Sequence, residues 1–60
     1  MSETLLDIDG AAERLAISPR FMRKLVAERR IPFLKVGRLV RFDVADLNRW
    51  LDGCRVEAVD

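Results

Sequence analysis

The middle of this sequence concentrates side chains that bind phosphate groups and other anions. Residues 20–41 contain eight basic residues and one acidic residue, Glu28, which gives this stretch a net charge of +7. The remaining residues carry three basic and nine acidic side chains, so the total charge of +1 conceals a strongly polarised chain. Lysine and arginine residues that neutralise phosphates release counterions, and this release dominates the affinity of proteins for polyanions. An ordinary solvated face is the alternative interpretation of a charge run, but the asymmetry favours a polyanionic partner.

Side chains suited to other kinds of chemistry are scarce. The sequence has no histidine and one cysteine, Cys54, so the chain can assemble neither a zinc cluster nor an internal disulfide. It has no glycine-rich phosphate loop, and its core is too small for a pocket that would tune Asp43 and Asp46 for acid–base catalysis. We interpret those two carboxylates as helix caps. The sequence thus predicts a protein that is not an enzyme, with no catalytic residues and no cofactor, metal or small-molecule ligand.

The length of the chain limits it to one domain. A chain of 60 residues buries only about 60% of its unfolded surface, which leaves no room for a second core. We therefore predict a single domain over residues 1–60, with an ordered core over about 5–53 and a frayed carboxyl end. Residues 1–9 are too acidic for a signal peptide, and no apolar run reaches the roughly 18 residues of a membrane helix. These features predict a soluble, cytoplasmic protein.

Two helices with a tight connection are expected to begin the domain. Asp7 is a good N-cap residue, and the apolar residues after it recur at helical spacing: Ile8, Ala11, Ala12 and Leu15. They predict a first helix over residues 8–15. Ser18 followed by Pro19 predicts the start of a second helix, which must end before Pro32. The short connection, with Ile17 as an apolar plug at the corner, is typical of a helix-turn-helix.

The second helix is expected to have one buried and one basic face. Met22, Leu25 and Val26 recur at the spacing of a buried stripe. The cations that point away from this stripe are Arg20, Arg23 and Lys24. This arrangement predicts a helix that presents its charges to a partner.

A β-hairpin and a third helix complete the predicted order. Residues 33–36 and 39–42 are β-branched or aromatic runs, and Gly37-Arg38 between them suits a two-residue turn with glycine first. This hairpin would have apolar residues on both sides, and only one side can face the core. One side carries Phe33, Val40 and Phe42, and the other carries Leu34, Val36 and Leu39. Asp43 with Asp46 predicts a capping-box variant opening a third helix.

The third helix is expected to close the core. Its apolar face would carry Val44, Leu47, Trp50 and Leu51, and Gly53 would end it. We interpret Trp50 as a core anchor rather than a base-stacking residue. The predicted fold class is therefore small α+β: a winged helix-turn-helix with three short helices and a two-stranded β-hairpin wing, in the order α-α-β-β-α.

An ordered set of short motifs extends this interpretation over residues 5–51. The motifs are Ala11-Ala12-Glu13 to Ser18, Leu25-Val26, Ile31-Pro32, Val36-Gly37-Arg38, Arg41-Phe42, and Asp46-Leu47 to Trp50-Leu51. The set resembles the excisionase (Xis) family of MerR-like winged helix-turn-helix proteins. The resemblance implies a protein that binds phage or plasmid attachment DNA, often as several copies side by side, bends it and directs an integrase toward excision. The chain departs from the family at Arg29, where members often have glycine, and at Phe21 and Arg23, which replace a common Thr and Tyr.

The expected function is sequence-specific binding of double-stranded DNA. The residues predicted to enter the major groove, where arginine grips guanine with two hydrogen bonds, are Arg20, Arg23 and Lys24. Contacts from the helix start, backbone or wing are predicted for Ser18, Pro19, Arg30, Lys35, Gly37, Arg38 and Arg41. Solubilising charges on the helix and an ordinary surface turn at Gly37-Arg38 are the alternatives, and Ser18 has capping as an alternative to phosphate contact.

Partners other than DNA follow from the resemblance and from the hairpin. Its remaining apolar side is expected to contact neighbouring copies on DNA or an integrase, and no membrane partner is expected. A small transcriptional regulator would share every residue named above, so this alternative stays open, although the absence of a ligand or dimerisation domain favours an architectural role. A protein-interaction module, such as an adaptor or antitoxin, is a third alternative because a basic face also binds acidic proteins.

Overall fold

Three helices and a small antiparallel sheet make up the structure, a computed structural model that describes residues 4–58. The elements are β1 (Leu5–Leu6), α1 (Ile8–Leu15), α2 (Pro19–Ala27), β2 (Leu34–Val36), β3 (Leu39–Asp43) and α3 (Val44–Gly53). This arrangement confirms the predicted α+β winged helix-turn-helix. We call the β2–β3 hairpin, residues 34–43, the wing. The fraying expected at the carboxyl end falls partly on residues 59–60, outside the described range.

The sheet has one strand more than the sequence predicted. β1 pairs with β3, with Leu5 opposite Asp43 and Leu6 opposite Phe42, so the strand order is β1-β3-β2. The expected two-stranded hairpin is therefore the larger part of a three-stranded sheet. A two-residue strand is too short to show an alternating pattern in sequence, and only its partner strand determines it.

The first two helices begin at the residues predicted to cap them. The Asp7 carboxylate accepts a hydrogen bond from the Gly10 N–H at 2.8 Å, and the Ser18 hydroxyl accepts one from the Phe21 N–H at 3.1 Å. Each bond satisfies an amide that has no partner within its own helix. Ile17, predicted as the plug at the corner between the two helices, packs against the core.

The start of α3 differs in detail from the prediction. Asp43 caps the helix, but its carboxylate accepts from the Ala45 N–H at 2.8 Å. Asp46, expected to complete a capping box, instead pairs with Arg49 at 3.3 Å. Because Arg49 lies one helical turn beyond Asp46, an i,i+3 ion pair is available that the capping-box interpretation did not consider.

Both α1 and α2 end with a left-handed residue that is not glycine. Ala16 has a φ of 58° and Arg29 a φ of 56°. After α2, the Arg29 N–H donates to the Val26 carbonyl at 3.0 Å and the Arg30 N–H donates to the Leu25 carbonyl at 2.9 Å. These two bonds form a Schellman motif, whose left-handed position usually holds glycine. The motif turns the chain away from α2 toward the wing.

The core lies between the helices and one face of the sheet. Its buried residues are Ala11, Ala12, Met22, Leu25, Ile31, Phe42 and Leu47. Trp50 packs against this cluster, as predicted, and its indole Nε1 donates to the Arg30 carbonyl at 2.8 Å, which ties α3 to the segment after α2. Leu51, expected on the same buried face, is 40% exposed, so the prediction for this residue was wrong. It lies near the end of α3, where little of the core remains to cover it.

The wing has two apolar faces, as the sequence predicted. Its inner face packs against the core through Phe42, which is fully buried, and through the half-buried Val40. Its outer face exposes Leu34, Val36 and Leu39, whose accessible fractions are 40%, 52% and 52%. Pairing of Val36 with Leu39 leaves a two-residue turn at Gly37-Arg38.

Candidate nucleic-acid interface

One face of α2 presents three cations away from the core. Met22 and Leu25 are buried on the opposite side of the helix, and Ser18 and Pro19 fix where the helix begins. The three exposed cations are Arg20, Arg23 and Lys24, which the helical period of 3.6 residues places on neighbouring rows. The residues predicted to enter a major groove thus share one exposed helix face.

The cations of the chain fall into two groups according to their partners. Within residues 4–58, six of them form neither an ion pair nor a side-chain hydrogen bond: Arg20, Arg23, Lys24, Arg29, Lys35 and Arg38. We call these the unpaired cations, and all of them lie on α2, on the turn that ends it, or on the wing. The other five are engaged by groups of the chain itself: Arg14, Arg30, Arg41, Arg49 and Arg55. The cations without a partner among the described residues are therefore concentrated in one part of the fold.

A groove separates the end of α2 from the inner face of the wing. It has a volume of about 370 Å³. Its helix side is formed by Val26, Ala27 and Arg29, and its wing side by Phe33, Lys35 and Val40. One cation thus lines the groove from each side together with four apolar residues, and no acidic side chain is among the described residues that line it. We call it the α2–wing groove.

The tip of the wing carries an exposed cation on a tight turn. Gly37 has a φ of +63°, a conformation that a side chain would disfavour, and Arg38 follows it with an ordinary negative φ. A type II′ turn requires a positive φ only at the first of its two central residues. Gly37-Arg38 therefore forms the glycine-first turn that the sequence predicted. The turn holds Arg38 at the end of the hairpin, exposed to solvent.

Comparison with family models places this geometry in a family. A model described as a helix-turn-helix domain matches residues 5–55, which is most of the chain. The chain belongs to the helix-turn-helix domain family. Domains of this family bind DNA and are typically non-enzymatic, so the chain is a DNA-binding protein of the helix-turn-helix class. Comparisons with curated proteins and with solved structures gave no match.

Two basic residues of the helix-turn-helix domain are turned toward groups of the chain itself. Arg30, predicted to contact the DNA backbone, pairs with Glu28 at 3.3 Å on the surface. Arg41 donates from Nη1 to the Val40 carbonyl at 2.7 Å. Because Arg41 is opposite Leu34 in the sheet whereas Lys35 is opposite Val40, Arg41 and Lys35 lie on different faces of the wing. The structure therefore brings Lys35 to the α2–wing groove and leaves Arg41 on the outer face.

One cation of the groove was absent from the site predicted by sequence. Arg29 lines the α2–wing groove opposite Lys35, yet the sequence singled out only its neighbour Arg30 as a contact. The signal that points to Arg29 is its occurrence at the end of a helix, where a left-handed glycine is usual. That signal identifies an unusual backbone position, but only the structure shows that the Arg29 side chain lines the groove.

Residues 4–58 contain no group of three or more histidine, cysteine, aspartate or glutamate side chains that could hold a metal ion. In the same part of the chain, every helix is too short or too polar to cross a bilayer.

Proposed function

We propose that this helix-turn-helix domain, taken as one unit over residues 1–60, binds specific double-stranded DNA as an excisionase in the cytoplasm. In this role it binds and bends attachment-site DNA and directs an integrase toward excision. The observation that carries the proposal is the distribution of the unpaired cations, which all lie on α2, its terminal turn or the wing. Cations left without internal partners on two adjacent elements suit a ligand with regularly spaced negative charge.

The helix face supports recognition of base sequence. We propose that α2 enters the major groove and that Arg20, Arg23 and Lys24 contact base edges there. An arginine that donates two hydrogen bonds to guanine discriminates against other bases by about 1–3 kcal/mol. Because Ser18 and Pro19 fix the start of the helix, these three side chains have defined positions on its exposed face.

The wing supports contacts with the DNA backbone. Arg38 projects from the Gly37 turn at the tip, and we propose that it reaches a phosphate or the minor groove next to the major groove that α2 occupies. Lys35 on the inner face would contact the strand between the two grooves. Such contacts position the protein without reading sequence. Arg30 and Arg41 would add phosphate contacts only after leaving their internal partners.

The outer face of the wing supports assembly on DNA. Leu34, Val36 and Leu39 lie side by side in the register of the hairpin and are all exposed. Exposed apolar patches on small proteins mark contact sites for other proteins. We propose that this face contacts a neighbouring copy on the DNA or the integrase. A Val36→Glu variant should then bind a single site normally but lose cooperativity on longer duplexes, as measured by titration. Absence of cooperativity in the unmodified chain at every duplex length would contradict this part of the proposal.

Selection from a randomised duplex pool, followed by sequencing, tests the proposal. We expect enrichment of a defined site, and retarded migration of circularly permuted fragments when the site is central, because a bent duplex moves more slowly. An integrase assay with the selected site should then show excision favoured over integration. A selected site that is bound without bending or any effect on excision indicates a transcriptional regulator. Failure to retain any duplex, combined with retention of acidic proteins, indicates a protein-interaction module.

A further inference from the structure

The turn that ends α2 holds an arginine in a conformation that disfavours any side chain. Arg29 has a φ of 56° within a Schellman motif, and a non-glycine residue in the left-handed region is strained by its Cβ atom. Glycine would form the same backbone hydrogen bonds without that strain. Residues held in such conformations cluster at functional sites. Ala16 has almost the same φ at the end of α1 and carries no charge, so the argument for a use of Arg29 depends on where its side chain lies as well as on its backbone.

The position of Arg29 shows what that use would be. It lines the helix side of the α2–wing groove, and Lys35 lines the wing side. Neither side chain forms an ion pair in residues 4–58, and Glu28, the acid next to Arg29 in sequence, pairs with Arg30 instead. The other residues that line the groove are apolar: Val26, Ala27, Phe33 and Val40. The groove therefore combines two cations with apolar surface.

A DNA strand matches this pattern of charge and apolar surface. Its backbone alternates anionic phosphates with deoxyribose rings that have apolar faces. The volume of the groove, about 370 Å³, is more than a single small ion would fill. Among residues 4–58, no carboxylate lines the groove to repel a phosphate.

We infer that the α2–wing groove seats one strand of the DNA backbone, with Arg29 and Lys35 holding phosphates from opposite walls. Arg29 is thus a DNA-binding residue at a backbone position where glycine would make the fold more stable. Arginine favours affinity for DNA at this position, whereas glycine favours stability. The inference rests on the proposed function. If α2 occupies the major groove of DNA and the wing reaches the next groove, the strand between those two DNA grooves would fill the α2–wing groove of the protein.

Four variants of the full chain separate charge from backbone strain. Arg29→Gly removes both the guanidinium and the strain, whereas Arg29→Lys keeps a cation. Ala16→Gly is the matched control, because Ala16 has almost the same φ, 58°, at the end of α1 and carries no charge. Arg49→Ala controls for the loss of one positive charge, since Arg49 lies on α3 and pairs with Asp46. The measurements are the melting temperature and the affinity for a fluorescently labelled mixed-sequence duplex at several salt concentrations.

We expect Arg29→Gly to melt about 4 °C higher than the unmodified chain and to bind the duplex about tenfold more weakly. Its plot of log affinity against log salt should be shallower by about 1, which corresponds to one lost phosphate contact. Arg29→Lys should keep the slope. Ala16→Gly should raise the melting temperature to a similar extent without changing the affinity, and Arg49→Ala should change the affinity far less than Arg29→Gly.

Three results would overturn the inference, and they are distinct from failure of the proposed function. If Arg29→Gly binds the duplex with unchanged affinity and unchanged salt slope, the groove does not seat a strand. The same conclusion follows if Arg29→Gly loses no more affinity than Arg49→Ala. If Arg29→Gly melts at or below the unmodified chain, the opposition of stability and affinity is wrong. In all three cases the unmodified chain still binds duplex DNA. If the unmodified chain binds no duplex, the proposed function fails and the inference with it.

Discussion

At the scale of single residues, the proposed interface divides into side chains that read bases and side chains that hold phosphates. Arg23 lies on the exposed face of α2, whereas Lys35 lies on the inner face of the wing beside the α2–wing groove. The two are both exposed cations without ion pairs among the described residues. Position in the fold, rather than charge, therefore distinguishes their roles.

This division predicts different losses for Arg23→Ala and Lys35→Ala. Arg23→Ala should relax base preference at one position of the selected site by about 1–3 kcal/mol, because a bidentate contact to a base is lost. Lys35→Ala should weaken binding to all sequences about equally and make the salt dependence shallower. Binding of each variant to the selected site and to single-base variants of that site measures both effects. Identical profiles for the two variants would show that the assignment of roles is wrong.

The sequence predicted many of these residues but not how they are grouped. The alternation of apolar residues in the hairpin predicted its two faces, yet Lys35 and Arg41, both expected to contact the DNA backbone, lie on opposite faces. The predicted two-residue turn already implied the register that places Arg41 opposite Leu34, but the alternation was applied to the apolar residues and not to the cations. Arg29 escaped prediction because the direction of its side chain depends on the left-handed turn after α2.

At the scale of elements, side-chain caps determine where the helices begin. Ser18 is the clearest case, because its hydroxyl accepts from the Phe21 N–H at 3.1 Å and Pro19 follows at the first helical position. Since α2 carries the proposed base contacts, the cap also fixes the register of those side chains.

Removing this cap should lower the free energy of unfolding by a measurable amount. Ser18→Ala should cost about 1 kcal/mol, because one amide at the helix start loses its partner, and this corresponds to a fall of about 4–8 °C in the melting temperature. Ser18→Thr, which keeps the hydroxyl, is the matched control and should stay close to the unmodified chain. Circular dichroism on heating provides the measurement. Equal melting of the alanine variant and the unmodified chain would mean that the cap contributes no stability.

The elements could be predicted because each has a local signal. Capping residues, apolar periodicity and the Gly37 turn all act over a few residues, and the structure confirmed the three helices and the wing. β1 had no such signal, since Leu5 and Leu6 become a strand only by pairing with β3. Leu51 was placed on the wrong side for a related reason, because helical periodicity does not show where the core ends along a helix.

At the scale of the whole molecule, stability depends on very few buried side chains. A domain of 60 residues has a free energy of unfolding of about 3–9 kcal/mol. Phe42 is fully buried on the inner face of β3, a strand that contacts both α1 and α3, and Phe→Ala changes in cores cost about 3–5 kcal/mol. One such change removes from about a third to all of the available stability.

We therefore expect Phe42→Ala to unfold at a much lower urea concentration than the unmodified chain, or to be unfolded without urea. Phe21→Ala is the matched control, because Phe21 is the same residue type but is 44% exposed on α2, and its loss should cost about 1 kcal/mol or less. Urea titration followed by circular dichroism compares the two variants. A cooperative unfolding transition of Phe42→Ala close to that of Phe21→Ala would show that the core is not organised around Phe42.

The charge of the molecule is strongly polarised along the chain. The basic stretch over residues 20–41 contains the six unpaired cations, while the cations outside it are engaged by the chain's own polar groups. A molecule arranged in this way should bind DNA through ionic contacts whose number can be counted from the salt dependence of affinity.

That count is obtained by titrating the unmodified chain with its selected duplex over a series of salt concentrations. If the unpaired cations meet the duplex as proposed, log affinity should fall linearly with log salt with a slope between about −3 and −5. The shallower value applies when the three cations of α2 contact bases alone, and the steeper value when all six contact phosphates. An affinity that does not change with salt, or no complex at the lowest salt concentration, would contradict the account.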